Sequence, residues 1–443
     1  MESVRRGRTL SVSWEGAVST KAGQKTAEAA AGPVAKRSAL AFRPPKPSPF
    51  VLGCSRLLVP LILRRRYGVV SVVYRDEDLE RFRDLSRDRV VITPNHPTAI
   101  EPVVMFHLSR RAGMPFHYVA ARETFDACWG LIGALLQRCG VYSIVRGAPD
   151  RDSFRMTRKL LSEPATKLVI FPEGEVYSQN DSLLPFHNGT FQLMFFAMED
   201  MRKAGTDAPL FIQPVAMKYR FVQDMSNEVT SSIGRLERAL GLRRPAPSDA
   251  YARLRRVGDA VLRSAERVYG LEAGERDYMN PRIEAVREAI LAEVAGRLGV
   301  KPEALGRTLP DKMRALFQKV NSLTRPDLVP ETVYEVRLLS EMRDHIRPLL
   351  HDLNRLSNWV AVRDGYIAEN PTPERVIETL RRLEIEVLGD SRIKGKKRCF
   401  VRLGEPFDLR EYRDQYSQDK RAAVQAATSR TEDAVQSLLD DMG

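Results

Sequence analysis

The side chains best suited to chemistry stand at the ends of three short apolar runs. Val90, Val91, Ile92 and Thr93 form a β-branched run that reads as a buried strand; Pro94 and Asn95 close it, and His96 follows, with Glu101 five residues on. An imidazole can take a proton from a hydroxyl near neutral pH, and a nearby carboxylate can hold the ring in one tautomer. A second run, Gly140-Val141-Tyr142-Ser143-Ile144-Val145, ends on Arg146, whose planar guanidinium can clamp a phosphate with two parallel hydrogen bonds. A third ends at Phe171-Pro172-Glu173-Gly174, where a carboxylate beside a glycine could receive the hydroxyls of a polyol while the backbone comes close to the ligand. In an open α/β sheet, ligands bind beyond the carboxyl ends of the strands, so all three groups fall where a site is expected. No Gly-x-Ser-x-Gly elbow offers an activated serine, and Cys139 reads as a small core residue. The simplest chemistry is therefore direct attack of a substrate hydroxyl, deprotonated by His96, on an activated acyl carbon without an acyl-enzyme. Taken alone, His96 reads as an ordinary loop histidine.

The elements that must position these groups alternate in type. Strands are predicted at residues 67–74, 90–93, 116–120, 140–147, 167–171 and 211–220, with helical patterns after Glu101, at 125–136 and at 152–161. Such alternation predicts an α/β fold with a mostly parallel central sheet flanked by helices. From residue 224 to 395 the pattern is almost wholly helical. Ser248 reads as an N-cap before Ala250, Leu254, Val257 and Val261; Ile283, Val286, Ile290, Val294 and Leu298 form one apolar stripe, and Leu338, Met342 and Ile346 another. Trp359, Leu380 and Leu383 are expected in the same bundle. Strand character returns at residues 399–403, and the last residues, 416–443, read as a charged amphipathic helix.

Composition narrows the partners. A formal charge of +13 points to an anionic surface or ligand, while no zinc-knuckle spacing, RNP-like strand or recognition helix supports nucleic acid. The four cysteines form no CxxC pair, which argues against structural zinc and for a reducing compartment. No run approaches the roughly 18 apolar residues of a spanning helix. Residues 1–49 carry nine Lys or Arg against three Glu and read as a disordered basic tail. Residues 50–66 read as an interfacial membrane helix, an apolar segment closed by Arg64-Arg65-Arg66.

In this order the motifs resemble the glycerolipid acyltransferase family, which includes glycerol-3-phosphate and lysophosphatidate (1-acylglycerol-3-phosphate) acyltransferases. Its first block, a histidine and an acidic residue separated by four positions and usually preceded by Asn, is matched by Asn95-His96 and Glu101. The second is matched by Gly140 to Arg146, and the third by Phe171-Pro172-Glu173-Gly174. The following Pro-Phe-Lys-x-Gly element is similar to Pro185-Phe186-His187-Asn188-Gly189, and the fourth block to Pro214-Val215. The closing strand and turn resemble Val401-Arg402-Leu403-Gly404-Glu405-Pro406. The resemblance implies that His96 is the base and Glu101 its orienting partner. It also implies that Arg146 and Glu173 bind the glycerol phosphate of the acceptor, with Gly174 and Gly140 shaping that site and Asn95, Phe171, Pro172, His187, Gly189 and Pro214 supporting it. Acyl-CoA or acyl-carrier protein would supply the thioester as co-substrate, with no metal and no cofactor, in phospholipid biosynthesis at the cytoplasmic face of a membrane. Glu101 stands where the family usually has Asp, and His187 where it usually has Lys. A phosphate-free lipid acceptor and a non-catalytic lipid-binding role are the alternatives. The resemblance assigns residues 67–223 and 396–415 to one acyltransferase domain, and 224–395 becomes a helical insertion or cap; the oligomeric state stays open.

Overall fold

The computed structural model describes residues 42–145, 150–174, 176, 179–242, 249–272, 279–306, 308–323, 332–360 and 362–442. They form two compact units, one of Phe42–Asp224 with Gly395–Gly443 and one centred on Met225–Lys394.

The first unit is built on a single sheet of β1 (Val69–Val73), β2 (Arg89–Pro94), β3 (His117–Ala121), β4 (Val141–Ile144), β5 (Lys167–Val169), β6 (Leu210–Phe221), β7 (Lys397–Leu403) and β8 (Phe407–Asp408). Its order is β1-β7-β6-β2-β5-β3-β4, with β8 on the free part of β6. All neighbours are parallel except β6 with β7 and β6 with β8. Every residue of the central strand β2 is buried, which is why it reads as an unbroken apolar run rather than an alternating one.

The side-chain alternation of the strands separates two cores. Val90, Ile92, Val215, Met217, Tyr219 and Val401 face helices α1 (Pro49–Tyr67), α2 (Asp76–Asp84) and α3 (Glu101–Ala112). The same face carries α4 (Leu131–Arg138). Val91, Leu168, Ile212 and Ala216 face the helices of the other side, α5 (Arg151–Ser162) and α6 (Asn188–Lys203). The mixed sheet, flanked by helices and accompanied by a large helical region, is the α/β architecture expected.

Local differences have identifiable causes. The basic tail does not run to residue 49: residues 42–48 are pinned to the fold. The Arg43 N–H donates to the Ser143 hydroxyl and its carbonyl accepts the Ser143 N–H, the Lys46 and Ser48 N–H groups donate to the Gln137 and Arg138 carbonyls, and Phe42 packs on Tyr142. Residues 1–41 lie outside the described residues. The helix expected over 125–136 is split into a 3-10 segment, Arg122–Gly130, and α4, because Gly130 holds a left-handed φ of 84°.

The second unit holds α7 (Ser226–Ala239), α8 (Ala250–Val268), α9 (Met279–Arg297), α10 (Leu309–Leu323), α11 (Val333–Val360), α12 (Tyr366–Glu369) and α13 (Pro373–Leu388). Asp249, not Ser248, caps α8, its carboxylate accepting from the Tyr251 and Ala252 N–H groups; Ser248 lies outside the described residues. The stripe of α11 is Leu339, Ile346, Leu349, Leu353 and Leu356, while Leu338 is exposed. Ile346 lies on the expected stripe and Met342 is half-buried beside it, so only Leu338 misses the buried face, where Leu339 takes its place. Between α8 and α9 a buried ion cluster forms, in which Arg282 donates twice to Glu266 and once to Asp259.

The chain leaves the sheet at Phe221 and re-enters at Lys397, which are register partners in the β6–β7 ladder, and Val401 pairs with Met217. The last strands lead into α14 (Arg413–Gln418) and α15 (Lys420–Asp440), which pack on the α6 side of the sheet.

Candidate active site

Beyond Pro94 the β2 backbone makes one last bond to β6, from the Asn95 N–H to the Val215 carbonyl at 3.3 Å, and side chains then take over. Asn95, buried, donates its amide to the Met217 carbonyl at 3.0 Å and accepts the Met217 N–H at 2.7 Å. Asn180 does the same for Tyr219, at 2.8 and 2.7 Å. Two carboxamides thus continue the ladder along β6 and fix the loops that carry them. Asn95 thereby sets where His96 begins.

His96 Nδ1 lies 2.7 Å from Glu101 Oε2, and the side chains are 13% and 0% exposed. The carboxylate can only accept, so Nδ1 carries the hydrogen and Nε2 presents its lone pair. Nε2 has no hydrogen-bond partner among the described residues. The ring is stacked on Phe171, with centroids 4.3 Å apart and planes at 27°. Glu101 opens α3, with Pro102 behind it, where a carboxylate also faces the positive end of the helix. Its oxygens are filled: Oε2 also accepts the Thr98 N–H at 3.1 Å, and Oε1 accepts the Thr98 hydroxyl at 2.5 Å and the Tyr219 hydroxyl at 2.8 Å. Burial, and after it the Glu101 charge, hold the Tyr219 phenol well above its ordinary range, so that its oxygen keeps the proton it donates.

Glu173 is buried too, but its partners differ. Oε1 accepts the His96 N–H at 2.6 Å and Oε2 the Leu184 N–H at 3.0 Å. Burial pushes its carboxyl up to about 7 against these two donors and the nearby imidazole. The side chain therefore ties three loops together: the end of β2, the turn after β5, and residues 180–184. That last loop is also fixed by the Lys218–Asp181 ion pair at 3.0 Å. Gly174 adopts φ +73°, and a Cβ there would come within 2.7 Å of His187 Nε2, so only glycine lets that imidazole lie on the turn. The His187 N–H donates to the Pro172 carbonyl at 2.9 Å, and His187 sits at the N-cap of α6.

The structure thus brings together His96, Glu101, Asn95, Phe171, Pro172, Glu173, Gly174 and His187. Gly189 is the second residue of α6, where a Cβ would meet nothing within 4 Å. Pro214 sits beside the end of the β6–β7 ladder, its carbonyl accepting the Gly404 N–H at 2.9 Å. Gly140 does not join them: it precedes β4, so it lies at the amino end of the strands, opposite the end that carries His96. A Cβ there would come within 3.0 Å of the Phe116 carbonyl oxygen, a backbone reason for glycine. Arg146 lies outside the described residues; β4 before it ends on the same carboxyl edge as β2. Among the described residues no three His, Cys, Asp or Glu side chains converge as for a metal ion.

Three residues of the site escaped the motif reading. Thr98 was legible, since Thr-x-x-Glu is the spacing of a capping box. Tyr219 and Asn180 carried weaker signals: Tyr219 shares the strand parity of Val215 and Met217, and Asn180 has no local mark at all.

A histidine whose Nδ1 is held by a buried carboxylate at the carboxyl edge of an α/β sheet, with Nε2 left free, can accept a proton from a hydroxyl brought to it. Residues 72–218, from β1 into β6, match the family model described as Acyltransferase, and this stretch is an acyltransferase domain. No curated protein matches the chain.

Proposed function

We propose that the protein moves a fatty acyl group from acyl-CoA or acyl-carrier protein to a hydroxyl of lysophosphatidate or glycerol-3-phosphate. The observation that carries this reading is the free Nε2 of His96 opposite an Nδ1 fixed at 2.7 Å by a fully buried carboxylate, inside the acyltransferase match. His96 Nε2 takes the proton of the acceptor hydroxyl as its oxygen bonds to the thioester carbonyl carbon. The carbon–sulfur bond then breaks, and the departing thiolate takes the proton back from the imidazolium. Glu101 holds the ring in the tautomer that begins this cycle and stabilises the imidazolium within it. Arg146 is assigned to the acceptor phosphate by resemblance of the Gly140-to-Arg146 block.

The same reading places the protein at the cytoplasmic face of a membrane as a peripheral or monotopic protein. No helix among the described residues is long and apolar enough to cross one. What supports surface attachment is α1: Phe50 is 79% and Leu57 73% exposed, Leu58, Leu61 and Ile62 are exposed beside them, and Arg64, Arg65 and Arg66 close the helix. On α4, Leu131 is likewise 73% exposed.

A phosphate-free lipid acceptor is the second reading, favoured by the imidazole of His187 lying on Gly174 where the family it resembles usually has a lysine. Offering purified protein an acyl-CoA with lysophosphatidate, glycerol-3-phosphate or a neutral lysolipid separates the readings. Transfer to a phosphate acceptor is expected; transfer to the neutral acceptor alone would favour the second, and no turnover with any acceptor the non-catalytic lipid-binding alternative.

A further inference from the structure

We propose that Tyr219 is a positioning residue of this site, its hydroxyl anchoring the longer side chain of Glu101 to the sheet so that His96 keeps Nε2 toward the acceptor; this rests on the acyl-transfer reading above. Glutamate has one more rotatable bond than aspartate, and its terminal torsion is broad, so a carboxylate that must hold a ring in register needs both oxygens fixed. Three of the four donors to Glu101 come from its own loop: the His96 ring, the Thr98 N–H and the Thr98 hydroxyl. They move with the loop and cannot register it against anything else. The fourth, the Tyr219 hydroxyl at 2.8 Å, comes from β6.

That strand is a rigid origin. The Tyr219 backbone is clamped by both atoms of the Asn180 amide, and its register partner across the β7 ladder is Cys399. Its ring is buried beneath Lys397 Nζ, 4.5 Å from the centroid. Asn95 and Glu173 hold the backbone beside His96, but among the described residues Tyr219 is the strand side chain that donates to the Glu101 carboxylate itself. A purely space-filling aromatic would need no oxygen here, yet the hydroxyl is the atom that reaches the carboxylate.

The test is a double-mutant cycle read by kinetics and by nitrogen NMR of histidine-labelled protein. The chain has six histidines, so His96 is assigned by comparison with His96→Gln. Tyr219→Phe, which removes one oxygen, is expected to lower kcat about tenfold with KM for both substrates within about twofold. It is also expected to replace the single Nδ1–H tautomer of His96 by a mixture. In the Glu101→Gln background the same change should alter kcat by less than about twofold, because its effect passes through Glu101. An equal loss in both backgrounds with an unchanged tautomer would overturn the proposal and leave Tyr219 as packing alone. If Tyr219→Phe does not fold, 4-fluorophenylalanine in place of Tyr219, which keeps the ring and nearly the volume but cannot donate, should give the same tautomer mixture; a pure Nδ1–H form there also counts against it. Because the tautomer is read without substrate, a protein that transfers no acyl group overturns the function reading while this inference is still decided.

Discussion

Glu101 and Glu173 are both buried carboxylates bonded to His96, one to its ring and the other to its backbone. The ring partner sets tautomer and charge, so Glu101→Gln, which can present an amide to Nδ1, is expected to lower kcat about 10²- to 10⁴-fold with little change in KM, measured by steady-state acyl transfer. The backbone partner is a matter of stability. Glu173 titrates near 7 in the folded chain against an ordinary value of 4.5. The folded state therefore holds a proton that the unfolded state has released between those values, and this stability is full below pH 4.5 and lost as pH rises through 7. Compared with Glu173→Gln, which does not titrate, the wild-type protein should lose about 3 kcal/mol between pH 4 and pH 8. Urea unfolding of both proteins across that range measures it, and a constant difference would remove Glu173 as the source.

Among the elements, α1 joins two demands in one helix. Leu52, Val59 and Leu63 face the core, while Phe50, Leu57, Leu58 and Leu61 are left on the other side. Replacing Leu57 and Leu61 by Asp should release the protein from anionic vesicles without unfolding it, since neither is in the core; flotation with circular dichroism checks both. Replacing Arg64, Arg65 and Arg66 by Ala should weaken binding by about 3 kcal/mol at low salt and by less at high salt. The strands were legible because β2, β6 and β7 carry long runs of β-branched or alternating residues, and α5 because its apolar positions recur at helical spacing. The split at Gly130 and the first apolar position of α11, Leu339 rather than Leu338, were not, since a single glycine leaves apolar content unchanged and two adjacent leucines read alike at the start of a stripe. The pairing of His96 with Glu101 was legible from five residues of sequence. The anchoring of that pair by Tyr219 was not, because it joins residues 118 positions apart through a strand register that no local pattern encodes.

For the whole molecule, the interruption of the sheet is the organising fact. Phe221 and Lys397 are paired, and the Val222 N–H donates to the Lys396 carbonyl at 3.0 Å, so the ends of the helical unit leave the sheet side by side. Joining residue 224 to residue 395 through a short glycine-containing turn should therefore leave the first unit folded, because closing a short loop costs less than closing a long one. A cooperative thermal transition in the shortened chain is expected; loss of its strand signal would mean that the helical unit is needed to hold the sheet. The change of pattern near residue 224 announced this unit, and the return of strand character at Val401 announced its end; the antiparallel pairing of Val401 with Met217 needed the fold itself. The most direct measurement of the whole scheme is acyl transfer from acyl-CoA to lysophosphatidate by the full chain and by its His96→Ala variant, with the fold of both checked by circular dichroism. The expected result is ester product from the wild type and a rate at least about 10²-fold lower from the variant. Transfer by His96→Ala at the wild-type rate would contradict it.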